Sequence, residues 1–287
     1  MHQIPYWQYN FITSEGVDKD ILITLMSDFN FEGFLETENG FVSFIPTDKA
    51  LDENIWLEEL KNYDPNITYS RELIEPKNWN EEWEKNYDVV KINDQCEIYA
   101  SFHVVNPDIK YPLYIDPKMS FGTGHHATTF MMCNWLFDLK EKLQDAVVLD
   151  VGCGTGVLGI LAKKLGSHKI YLIDNDPICV ENTTENLHKN FSHEMMNNFE
   201  VGLHDIESFI NTHEDFCCDV ILANIQKNVI LHDLPFYEKI LKSGGLLLVS
   251  GILIEAEEEV INYASTFFNY LQSRYKAEWA SLLFQKK

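Results

Sequence analysis

Between Val148 and Gly156 the chain reads VLDVGCGTG, and few folds can accommodate that run. The aliphatic start suits a buried strand that ends in Asp150. Gly152, Gly154 and Gly156 then predict a tight loop, because only glycine lets the backbone turn sharply and lie against a ligand. Val157 to Leu165 is apolar enough to open a helix straight after the loop. The amides at such a helix start favour an anion. Asp174 stands 22 residues after Gly152, at the end of the next strand-like run, IYLID. A carboxylate there can accept hydrogen bonds from both hydroxyls of a ribose.

Around this unit the chain alternates helix and strand from about His125. Strands are expected at Val147 to Val151, Ile170 to Asp174, Phe199 to Leu203, Asp219 to Asn224 and Gly245 to Ser250. That order predicts a doubly wound, mainly parallel α/β sheet. Phe268 to Lys276 and Glu278 to Gln285 have almost no room between them, so they are expected to form an antiparallel hairpin on the sheet.

The first part of the chain has a different rhythm. Tyr6 to Thr13, Phe31 to Glu36, Phe41 to Pro46 and Ile67 to Leu73 suit strands, with a helix over Val17 to Phe29. A second helix is expected after Thr47 as its cap, with Ile55, Leu57 and Leu60 along it. The order matches a ferredoxin-like α+β module. Pro76 marks a boundary, and Asn78 to Lys85 is expected to be a short acidic helix carrying Trp79 and Trp83. Short strands are expected at Val89 to Ile92, Glu97 to His103 and Tyr111 to Asp116. The domain expectation is therefore 1–75 for the small module, 76–120 for a linker helix with short strands, and 121–287 for the cofactor-binding domain.

The glycines admit a competing frame. Gly154, Gly156 and Gly159 spell G-x-G-x-x-G, and Asp174 follows 20 residues after the first, as in a dinucleotide fingerprint. Against it, the strand runs through Asp150 to Gly152, so the turn begins one glycine earlier, in the D-x-G-x-G-x-G form of methyltransferases. The terminal hairpin is also foreign to an ordinary dinucleotide domain. S-adenosylmethionine, which carries a carboxylate on its methionyl end, is the expected cofactor.

Two further motifs flank the loop. DPKMSFGTGHHATT, from Asp116 to Thr129, places Thr128 and Thr129 at the start of the helix that precedes the first sheet strand. His125 and His126 point in different directions and have no companion ligands, so no metal is expected. DVILANIQK, from Asp219 to Lys227, puts Asn224 at the carboxyl end of a strand, where doubly wound sheets bind ligands. Its amide can meet either the methionyl part of the cofactor or the incoming nucleophile. The competing role is a helix N-cap.

The three motifs, in this order, resemble PrmA, the methyltransferase family of the large-subunit ribosomal protein L-eleven (L11). The resemblance covers the chain from about Trp79 onward. It implies a class I methyltransferase fold, an N-terminal module that recognises L11, and methylation of lysine side chains and the N-terminal α-amine, up to trimethylation. It also implies cofactor contacts at Thr129, Gly152, Asp174 and Asn224, to which the glycine loop adds Gly154. Lys118-Met119-Ser120 stands where Gly-Leu-Ala is common, and Gln226 and Lys227 follow where many members have Leu. No residue is assigned as general base. The alternatives are an RNA or small-molecule methyltransferase and, further off, an NAD-dependent dehydrogenase.

The net charge of −23 disfavours direct nucleic-acid binding and draws basic partners. Six cysteines without a C-x-x-C pair read as reduced thiols of a cytoplasmic protein. No apolar run approaches a membrane span. A monomer acting on L11, free or on the large subunit, is the expectation.

Overall fold

The computed structural model describes residues 4–75, 84 and 86–287. The expected helix of Trp79 and Trp83 lies almost wholly outside the described residues. The chain divides into two compact units, 1–86 and 87–287.

The first unit runs β1 (Tyr6–Ile12), α1 (Lys19–Asp28), β2 (Glu32–Thr37), β3 (Gly40–Pro46), α2 (Glu53–Tyr63) and β4 (Thr68–Ile74). Its antiparallel sheet has the order β2-β3-β1-β4, the ferredoxin-like arrangement. Alternation along β1 turns Tyr9 and Phe11 inward and leaves Asn10 and Ile12 exposed. The inward rings meet Trp56 edge-on, at 5.4 and 5.7 Å between centroids.

One boundary differs from expectation. The cap of α2 is Asp52, whose side chain accepts from the Asn54 amide, and not Thr47. Thr47 instead continues the end of β3, its amide donating to Pro5 O, and a turn through Lys49 follows. The later start puts Trp56 and Leu60, four residues apart, on the buried face, while Ile55 points to solvent.

The second unit begins with β5 (Val90–Asn93), β6 (Cys96–Tyr99) and β7 (Tyr111–Tyr114), a small sheet of its own. Helices α3 (Ala127–Asp138) and α4 (Lys140–Leu143) follow. Then come β8 (Val147–Val151), α5 (Val157–Lys164), β9 (Lys169–Asp174), α6 (Pro177–Asn190) and β10 (Phe199–Leu203). The chain continues with α7 (Ile206–Thr212), β11 (Cys218–Asn224), α8 (Lys227–Ile240), β12 (Leu241–Leu253) and α9 (Glu257–Ala264). The hairpin β13 (Phe268–Lys276) and β14 (Trp279–Lys286) closes it.

The large sheet has the order β10-β9-β8-β11-β12-β14-β13. It is parallel from β10 to β12, and β14 pairs antiparallel with β12. Val148, Leu172, Leu222 and Leu248 face one core layer, and Leu149, Ile173, Ile221 and Leu247 face the other. Both faces are covered, as a parallel sheet requires. The order reverses beside β8, so a crevice opens beyond the carboxyl ends of β8 and β11. β12 runs further than the expected Gly245 to Ser250. It continues to Leu253 because β14 supplies partners to that point, pairing Leu253 with Trp279.

Candidate active site

Beyond the carboxyl ends of the strands lies a cavity of about 630 Å³. Gly152, Gly154, Asp174 and Asn224 all line it. Thr129 does not. It is fully buried behind Asn224, whose Nδ2 donates to its Oγ1 at 3.3 Å, while Thr128 reaches the cavity wall.

The glycine loop is shaped by what it touches. A Cβ on Gly154 would stand 2.2 Å from Phe121 O, and one on Gly152 would stand 2.3 Å from Ile225 Cγ2. Both residues also have φ in the left-handed region, +56° and +65°. Any side chain there is excluded twice over. Asp150 is buried beneath the loop, and its Oδ2 accepts from the Gly159 amide at 3.0 Å. Burial pushes its carboxyl up to about 7, and nearby Asp174 adds to the effect.

Asp174 is the other support of the loop. Its Oδ2 accepts from the Gly154 amide and its Oδ1 from the Asp176 amide, each at 3.0 Å. Each carboxylate oxygen keeps a second lone pair, so both can still accept from a ligand. The Gly154 amide, by contrast, is already used within the protein.

The segment before α3 lies along this loop. Thr155 donates through its amide to Phe121 O at 2.9 Å and through Oγ1 to Gly122 O at 2.7 Å. Asn186, fully buried on α6, holds both segments. Its Oδ1 accepts from the Asp116 amide at 3.2 Å, and its Nδ2 donates to Thr155 O at 3.0 Å. Phe121 is thereby presented as a cavity wall.

His126 and His125 have separate roles. His126 caps α3, its Nδ1 accepting from the Thr128 amide at 3.3 Å. That bond leaves Nε2 to carry the proton of the neutral ring. His125 Nε2 lies 3.2 Å from Asp88 O, away from the cavity. Among the described residues no group of three His, Cys, Asp or Glu side chains could hold a metal ion.

Asn224 has a feature the sequence could not reveal. Its Oδ1 is buried and has no hydrogen-bond partner among the described residues. The cap of α8 is Gln226, so Asn224 is not an N-cap. A buried amide oxygen left without a donor costs about 1–3 kcal/mol, which a ligand N–H can relieve. With the glycine cradle and Asp174 this fits a nucleoside cofactor whose other end is an amino acid.

Sequence reasoning passed over several cavity residues: His204, Asp205, Asp233 and Trp279. Asp205 follows β10 and caps α7 through the Ser208 amide at 2.7 Å. Asp233 is mid-helix on α8, where it accepts from the Tyr237 hydroxyl at 3.2 Å, and burial raises its carboxyl. Only Asp205 had a readable signal, its position at a strand end before a helix.

Comparison with known proteins turns this geometry into a family. The model of the family described as ribosomal protein L11 methyltransferase (PrmA) matches residues 25–287. The chain belongs to the PrmA family. The ribosomal protein L11 methyltransferase of Phocaeicola vulgatus is 36% identical over 273 residues, covering 93% of this chain and 94% of that one. The same-named protein of Porphyromonas gingivalis is 37% identical over 269 residues, covering 92% and 90%. A solved structure of ribosomal protein L11 methylase from Lactobacillus delbrueckii subsp. bulgaricus superposes with a TM-score of 0.62 at 22% identity. It covers 70% of this chain and 100% of that one, which bears on the fold. As a PrmA member the chain is a methyltransferase, and the dehydrogenase frame of its glycines is set aside.

Proposed function

We propose that this chain methylates ribosomal protein L11 with S-adenosylmethionine, at lysine side chains and the N-terminal α-amine. The observation that carries the reading is the cavity where the glycine loop and Asp174 meet the unpartnered Asn224 Oδ1. Asp174 would hold the ribose, Gly152 and Gly154 the methionyl side, and Asn224 an amine N–H. When bound, S-adenosylmethionine supplies a methyl carbon made electrophilic by its sulfonium, and it leaves as a neutral thioether.

The protein's remaining work is alignment. The attacking amine must be neutral, and lysine starts near a pKa of about 10.4. Burial in a cavity that already holds a cation lowers that value. His126 is poorly placed as the base, since its Nδ1 accepts from a backbone amide. The proton released when nitrogen gains its methyl group therefore passes to water.

We place the reaction in the cytoplasm, consistent with six cysteines that are all free thiols. Among the described residues no helix is long and apolar enough to cross a membrane.

Intact-mass analysis of purified L11, incubated with this protein and S-adenosylmethionine, tests the proposal. The expected result is a ladder of single-methyl increments. An unchanged L11 mass while the protein binds the cofactor would overturn the substrate assignment.

A further inference from the structure

The cavity crosses the sheet in a definite order. His204 and Asp205 stand at the end of β10, Asp174 at β9, Gly152 at β8, Asn224 at β11, Gly251 in β12 and Trp279 at the start of β14. The register fixes Trp279 on the ligand side. Asn224 pairs with Ser250, Ser250 with Ser281, and Trp279 lies two residues beyond Ser281. A cofactor held by Asp174 and the glycine loop occupies the β10–β8 end. The β11–β14 end is left for the acceptor.

Three rings enclose that end. Phe121 and His126 have centroids 5.1 Å apart, and His126 and Trp279 5.0 Å apart. Both pairs are inclined at 65°, so the rings form a bent wall and not a stack. Among the described residues the lining includes no lysine or arginine. Among its carboxylates, Asp174 and Asp205 stand at the ends of β9 and β10, and Asp233, on α8, is already engaged by His232 and the Tyr237 hydroxyl. The three rings and the Asn224 Oδ1 thus offer a cation a wall that itself carries no carboxylate.

This choice of groups has a chemical consequence. A carboxylate holds an ammonium through its N–H bonds, and each methylation removes one of them. Aromatic rings attract the positive charge itself and accept N-methyl groups against their faces. A carboxylate beside the amine would also favour the protonated form, which cannot attack.

We propose that Phe121, His126 and Trp279 form a wall that retains methylated amines, and so determine how far methylation proceeds. The inference rests on the acceptor being an amine, as proposed above. After each transfer the mono- or dimethylammonium stays against the rings and gives up one proton to water, while S-adenosylhomocysteine leaves and a fresh S-adenosylmethionine binds. The next round then starts from an amine already in place.

Two measurements test this. Calorimetry on the protein with S-adenosylhomocysteine bound compares Nε-trimethyllysine with the neutral analogue in which carbon replaces the nitrogen. The trimethyllysine should bind more tightly, and Trp279→Leu should weaken it by roughly two- to thirtyfold, the range of a cation–π contact. Trp279→Phe should recover most of the loss. Phe121→Leu, at a half-exposed position, provides the same test if the tryptophan variant does not fold. Equal binding of the charged and neutral probes would overturn the wall, as would undiminished trimethyllysine binding in folded Trp279→Leu or Phe121→Leu protein.

The second measurement is the mass distribution of L11 early in the reaction with L11 in excess. The variants should accumulate monomethyl product where the natural protein yields higher states, with cofactor affinity unchanged. An unaltered distribution would overturn the link to methylation degree. Trimethyllysine held by the rings, with L11 left unmodified, would support the wall and refute L11 as the acceptor.

Discussion

Each compact unit holds a polar side chain against its core, and the two are treated in opposite ways. In the first unit Glu53 is fully engaged. Its Oε1 accepts from the Tyr9 hydroxyl at 2.6 Å and from Arg71 at 2.5 Å, and its Oε2 from the Tyr69 hydroxyl at 2.6 Å. Burial, reinforced by Glu53, pushes the Tyr9 hydroxyl up to about 12. In the second unit Asn224 Oδ1 has no donor among the described residues. The first unit also contains an unpartnered atom, Ser43 Oγ, but that residue is fully buried, whereas Asn224 borders a cavity. A closed polar cluster holds a fold together. An open one at a cavity wall marks where a ligand completes the protein.

The strongest way to probe the comparison is through Asp150, a buried carboxyl with one backbone donor. Its folded pKa, about 7, lies above the unfolded value of about 3.9. The folded state therefore gains from the neutral carboxyl at low pH and loses that gain as pH rises from about 4 to 7. The loss is on the order of 2–4 kcal/mol. Urea unfolding at both ends of the window should show it in the natural protein and not in Asp150→Asn. A parallel pH dependence in the two would refute the assignment.

Next in size is Asp174→Ala. Loss of charge-assisted hydrogen bonds, about 1.5–3 kcal/mol, should weaken S-adenosylmethionine binding by roughly 10- to 150-fold. Calorimetry giving an unchanged affinity would remove Asp174 from the site.

Asn224→Ala and Glu53→Leu form a matched pair. The asparagine change should cost the fold no more than about 1 kcal/mol, since only the bond to Thr129 is lost, yet slow methyl transfer roughly tenfold or more. The glutamate change removes the acceptor of the Tyr9 and Tyr69 hydroxyls and the carboxylate partner of Arg71, and should cost about 1–3 kcal/mol of stability, with cofactor affinity unaltered. If the two variants exchange signatures, the contrast between closed and open clusters is wrong.

The smallest effect is at the terminal hairpin. Ala277 has φ +52° in the two-residue turn before Trp279. Ala277→Gly relieves left-handed strain but loosens the unfolded chain, a net gain of about 0.5–1 kcal/mol. A lower melting temperature would contradict this.

The strands of the four-stranded and seven-stranded sheets were legible because period-2 alternation and near-continuous aliphatic runs are local signals. The start of α2 was misplaced because Thr47 and Asp52 are both good caps. Choosing between them required knowing that Trp56, and not Ile55, packs against Tyr9 and Phe11.

The site divides in the same manner. Gly152, Gly154, Asp174 and Asn224, all expected from the sequence to touch a cofactor, line the cavity because they stand at or just beyond strand ends, where the doubly wound order directs ligands. Thr129 was placed in the right neighbourhood but stands one layer behind the cavity, and no local pattern tells Thr128 from Thr129 across a helix start. Trp279 joins the site only because β14 turns back against β12, and Asn186 only because α6 crosses two loops. The sequence alone determined the glycine cradle and its acidic partners, because backbone conformation is a near-neighbour property. The tertiary structure alone decided the aromatic wall and the unpartnered amide oxygen, because both depend on residues from distant strands meeting beyond the same sheet edge.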